Sequence, residues 1–83
     1  MTLDIPKYDK NSGLLSHWEE GFEIRIEESG RSILISANKA GLVSLAVQLL
    51  TLAQEAVPAG CHFHYDSYNS LESGSNELII EKF

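Results

Sequence analysis

The sequence predicts an α+β domain of two layers, a four-stranded, mainly antiparallel sheet with one helix packed on one face. Three observations carry this. Residues 22–37 alternate apolar and polar around a turn, residues 38–60 hold one helical pattern, and two short strand-like runs follow at 60–66 and 76–83. The order is strand, strand, helix, strand, strand. With every neighbouring pair antiparallel, strand order 2-1-3-4 or 1-2-4-3 is allowed.

The first element is an arm. Residues 1–20 have no clear period and are broken by Pro6, Asn11, Ser12 and Gly13. Leu14, Leu15 and Trp18 are their bulky apolar cluster, so the arm is expected to pack on the domain formed by residues 21–83, with a short strand near 14–19. The second element is "FEIRIEESGRSILISA", in which "FEIRIE" alternates strictly, as a strand with one buried face does. Ser29-Gly30 reads as a two-residue hairpin loop, glycine supplying the positive φ. That register places Ile26 opposite Ile33, Ile24 opposite Ile35 and Phe22 opposite Ala37, keeping the apolar pairs on one face.

The third element is the helix "NKAGLVSLAVQLLTLAQEAVPAG". Asn38 suits an N-cap, and Pro58 and Gly60 stop the helix. Leu42, Leu45, Ala46, Leu49, Leu52, Ala53 and Ala56 form a stripe at spacings of three and four, expected to face the sheet. Ser44, Gln48, Thr51 and Glu55 are expected on the outside. Val43, Val47 and Leu50 lie between and need a cover, either the arm with Trp18 or a second copy in a homodimer. The last strands, "GCHFHYD" and "NELIIEKF", flank a polar loop that carries Tyr68. Phe63 and Tyr65 belong under the helix, so His62, His64 and Asp66 belong on the open face. Glu23, Arg25, Glu27, Glu77 and Glu81 are expected on the same face.

Composition narrows the function. Twelve acidic against six basic residues give a net charge of −6, the wrong sign for binding nucleic acid. No apolar run approaches the roughly 20 residues that span a bilayer, and the N-terminus shows no secretory pattern. A lone cysteine, Cys61, forms no internal disulfide and suits a reducing, cytoplasmic setting.

The stretch His62-Phe63-His64-Tyr65-Asp66 admits three chemistries. Two histidines at i and i+2 on a strand can chelate zinc, so His62 and His64 are the candidate metal ligands. Three consecutive outward positions span roughly 13 Å, too far for one ion, so a site would use His62 and His64, or His64 and Asp66, joined by a carboxylate from Glu23, Glu27, Glu77 or Glu81. Catalysis needs a nucleophile beside the histidine, and none is in view: Cys61 lies on the other face, and no nucleophile elbow, phosphate loop or HExxH pattern is present. No cofactor is implied. The third reading is a surface, either simply solvated or used to bind a protein, since interfaces mix apolar anchors with polar rims.

The Gly41-Leu42 pair, the run Leu49-Leu50-Thr51-Leu52-Ala53, the His62–Asp66 strand and the closing Glu77–Ile80 strand together resemble the immunity protein 32 family of bacterial polymorphic toxin systems. The resemblance covers roughly residues 21–83. It implies a small non-enzymatic cytosolic inhibitor that binds a cognate protein toxin, and an acidic inhibitor suits a basic nuclease. It assigns no residue roles. The binding surface is therefore read from the residues: His62, His64 and Asp66, with Glu23, Arg25, Tyr68 and Glu77 around them. The alternatives are a metal-binding protein using the His-x-His strand, and a homodimeric interaction module joined through Val43, Val47 and Leu50.

Overall fold

A computed structural model describes residues 1–83. The element order is β1 (Ile24–Ser29), β2 (Ser32–Ala37), α1 (Lys39–Leu52), β3 (His62–Tyr65) and β4 (Leu78–Glu81). The α+β class and the ββαββ order agree with the sequence. The sheet does not. β1 and β2 form one antiparallel pair and β3 and β4 another, so neither expected four-strand order occurs. The reason lies in the polar loop, which closes the second edge of β1. Glu72 and Asn76 donate their backbone N–H groups to the carbonyls of Ile24 and Ile26, and Ile26 N donates to Ser75 Oγ. Leu71 of the same loop is buried in the core. No strand follows there, but the polar groups of that edge are satisfied.

The β1–β2 register pairs Ile26 with Ile35 and Ile24 with Ala37. The turn is Gly30-Arg31, not Ser29-Gly30. Gly30 has φ +61° and no other residue type adopts positive φ, the pattern of a type II′ turn with glycine first. The pairing is shifted by two residues from expectation, which preserves the alternation of faces, although Ile33 and Ile35 on the apolar face of β2 are exposed, not covered by the helix.

The helix is the larger correction. Asn38 caps it, its Oδ1 accepting from Gly41 N at 2.8 Å. Its regular turns end at Leu52, ahead of Pro58. The freed carbonyls find side chains: Gln54 Nε2 donates to Thr51 O and Lys82 Nζ donates to Gln54 O. The buried face is Gly41, Ser44, Val47, Gln48, Thr51 and Leu52, so Ser44, Gln48 and Thr51, expected outside, face inward, while Glu55 is exposed as expected. Leu42 and Leu49, expected inside, are exposed. This inversion costs little because each buried polar side chain is hydrogen bonded. Ser44 Oγ donates to Ala40 O and accepts from Glu19 N, Thr51 Oγ1 donates to Val47 O, and Gln48 Oε1 accepts from Tyr65 Oη.

The arm meets this polar side of α1 through residues 1–8 and 17–20. Gln54 accepts from Tyr8 N and donates to Pro6 O, and Val47 is buried beside Leu3, Ile5 and Pro6. Val47 is thus enclosed within its own chain, and the expected dimer face of Val43, Val47 and Leu50 is not available as drawn. No strand forms near 14–19; the arm has only an isolated bridge between Asp9 and Gly13. Trp18 stacks on Phe22 at 4.4 Å between ring centroids and meets Tyr65 edge-on at 5.8 Å. With Ile24, Ile26, Tyr65, Leu71 and Leu45 these rings form the core. No helix is long and apolar enough to cross a membrane.

Candidate functional site

β3 and β4 build the site. Their register pairs His62 with Glu81, Phe63 with Ile80, His64 with Ile79 and Tyr65 with Leu78. Alternation turns Tyr65 into the core and leaves His62 and His64 exposed. One step beyond the last pair the strands part, and Asp66 and Glu77 stand across from each other on the His64 side. His64 Nε2 lies 3.7 Å from Glu77 Oε1 and 4.0 Å from Asp66 Oδ2. One ligand atom from each of the three lies within 4.8 Å of the others.

Asp66 also organises the loop. Its Oδ1 accepts from Tyr68 N at 2.9 Å and Asn69 N at 3.1 Å, while its backbone carbonyl accepts from Leu71 N. Asn69 answers through Oδ1 to Asp66 N and through Nδ2 to His64 O. This is an Asx-type turn, in which a short side chain replaces backbone partners. Its product is Tyr68, 98% exposed and held on an ordered turn. In the sequence Asp66 reads as a surface contact group or, with His64, a metal ligand, yet it also holds the fold together locally. Asp66→Ala is expected to lower stability by about 1–2 kcal/mol, comparable to losing a helix cap. Urea denaturation checks this, with Asp66→Asn as the control that keeps an accepting oxygen. Equal midpoints for Ala and wild type would refute the role.

The remaining sequence-predicted residues are dispersed. His62 stands apart from the trio, its Nδ1 3.2 Å from Gly60 O, so His62 and His64 do not form a chelating pair with a third ligand. Glu77 supplies the carboxylate, and Glu23, Glu27 and Glu81 do not join. Glu23 and Arg25 line a different groove with Ser36, Asn38 and Glu72. Neither His62 nor His64 is hydrogen bonded to a serine, threonine or cysteine. A tetrahedral metal with bonds near 2.0–2.2 Å places its ligands roughly 3.4 Å apart, so the trio would close by about an ångström to grip one ion.

The fold and this surface define a small α+β domain whose charged side chains sit on an open strand face. Its sequence matches the family model described as immunity protein 32 over residues 32–82, more than half the chain, and the chain belongs to that family. The match starts at β2 and takes in α1 and the β3–β4 site; β1 and the arm precede it. No curated protein and no solved structure shows significant similarity to the chain.

Proposed function

We propose that this protein binds and neutralises a cognate bacterial toxin by contact alone, without catalysis. The family match over residues 32–82 carries the reading. The site supports it: no nucleophile stands beside either histidine, and the exposed groups suit recognition. The surface centres on His62, His64, Asp66 and Glu77, with Tyr68 beside them and Glu23 and Arg25 on the flanking groove. Tyr68 is the anchor. It is a large side chain with few rotatable bonds, already held by the Asp66 turn, so little ordering is lost on binding. The net charge of −6 favours a basic toxin surface, and a nuclease is the finer form of this proposal. Nucleic acid and membrane are not its partners, and the cytoplasm is its site of action.

The test is co-purification of a tagged chain from its source bacterium, with and without chelator. A stoichiometric toxin domain that persists in chelator supports the reading. Tyr68→Ala is then expected to weaken that complex by about 2 kcal/mol, roughly thirtyfold, without shifting the melting temperature. Unchanged affinity would remove Tyr68 from the interface. The trio His64, Asp66 and Glu77 favours a second reading, a surface metal site. Absence of any toxin, with stoichiometric zinc surviving dialysis, would replace the first reading by that one.

A further inference from the structure

We propose that the free edge of β2 is a homodimer interface, in which Ser32–Ser36 pairs antiparallel with the same segment of a second copy about a two-fold axis at Leu34. Beyond its ladder with β1, no residue of β2 makes a backbone hydrogen bond. Ile33, Leu34 and Ile35 are 59%, 50% and 45% exposed. No residue from Ser32 to Ala37 is charged, so the edge lacks the charges that normally keep a strand from pairing with another chain.

Two features select a second copy as the occupant. The segment Ser-Ile-Leu-Ile-Ser reads the same in both directions about Leu34. A two-fold interface must be self-complementary. Antiparallel pairing centred there sets Leu34 opposite Leu34, Ile33 opposite Ile35 and Ser32 opposite Ser36 of the other copy. The hydrogen-bond parity agrees. β1 sends the backbone groups of Ile24 and Ile26 away from β2, to residues 72–76, so Arg25, Glu27 and Ser29 bond to β2. Their partners Ser36, Leu34 and Ser32 therefore point inward, and the outward groups belong to Ile33 and Ile35. Those two residues oppose each other in the proposed register and would exchange both hydrogen bonds, with Leu34 as the closer, non-bonded pair.

The side chains follow. Ile35 pairs with Ile26 and Ile33 is two residues along, so both project from the core face of the hairpin. Pairing two edges makes a four-stranded sheet β1-β2-β2-β1 and brings these isoleucines together over one surface. A stable interface buries about 800 Å² per partner, more than a strand edge about 17 Å long supplies. Helix α1 packs against β2, and its exposed Leu42 and Leu49, on the flank away from the arm, widen the apolar surface.

Sedimentation equilibrium of the full chain from micromolar to millimolar concentration provides the test. Twice the chain mass is expected, and Leu34→Lys, which sets two ammonium groups face to face on the axis, is expected to raise the dissociation constant at least a hundredfold. Leu34 lies on the exposed side of the hairpin, so the variant should keep the far-UV circular dichroism of wild type. In a Cys61→Ser background, Leu34→Cys is expected to give a symmetric disulfide under mild oxidation, because non-bonded pairs bring the side chains closest. Ile33→Cys should cross-link far less. A monomer at every concentration overturns the proposal. So does a dimer that survives Leu34→Lys, or a monomer in which Leu34→Lys abolishes toxin binding, since the edge would then receive a toxin strand.

Discussion

Gly41→Ala is expected to destabilise the protein by about 2–3 kcal/mol, the scale of overpacking a tight core contact. Intrinsic propensity argues the opposite way, since alanine is better than glycine within a helix by about 0.8–1.0 kcal/mol. Space decides the sign. A Cβ on Gly41 would stand 2.5 Å from Glu23 O, 2.9 Å from Ile24 Cγ1 and 3.1 Å from Ala37 Cβ. The closest atom is backbone and cannot rotate aside. Moving it would also disturb the hydrogen bond from Asn38 N to Glu23 O, which ties the entry of α1 to the start of β1. Gly41 is where the helix lies against the hairpin, and its absent side chain sets that distance. A domain with so small a core has little stability to lose. Urea midpoints of wild type and Gly41→Ala measure the effect. A midpoint equal to or above wild type would show that the close approach does not constrain the fold.

What the sequence made legible follows from period. The alternation of Ile24 and Ile26 identified β1 and its buried face, and Asn38 before the apolar run marked the helix start. The hairpin register escaped because a shift of two residues preserves every face; only turn chemistry separates Ser29-Gly30 from Gly30-Arg31. The helix face escaped for a deeper reason. Periodicity ranks side chains by their affinity for water, and Ser44, Gln48 and Thr51 are buried because partners from the arm, β3 and their own backbone replace that water. Those partners lie up to 31 residues away in sequence. The site was half legible. His64 and Asp66 share a face by simple alternation, whereas choosing Glu77 among four acidic candidates required the β3–β4 register. Tyr68 was visible as an aromatic with no core position, but the turn that presents it depends on backbone N–H groups donating to Asp66, whose partners the apolar-polar pattern does not reveal.

The second large effect lies at the centre of that hidden face. Gln48 is 0% exposed, and its amide oxygen accepts from the buried Tyr65 hydroxyl. Gln48→Leu adds apolar character to a core position, yet it is expected to lose about 1–3 kcal/mol because the Tyr65 hydroxyl then has no acceptor. Tyr65→Phe should lose a similar amount by orphaning the amide oxygen. The pair Gln48→Leu with Tyr65→Phe removes both ends of that bond and should recover much of the loss, only the long 3.5 Å contact from Gln48 Nε2 to His17 O staying unmade, a coupling of about 1–2 kcal/mol in a double-mutant cycle. Titration gives an independent readout. Burial raises the Tyr65 pKa well above the ordinary tyrosine range. The folded state therefore keeps this proton where the unfolded chain, ionising near pH 10, releases it. The stabilisation is fully present below about pH 10 and falls above it, by at most about 1.4 kcal/mol per pH unit from this group. Tyr65→Phe should flatten that decline. If both proteins lose stability equally between pH 9 and 11.5, the Tyr65 hydroxyl is not held neutral by burial in the core.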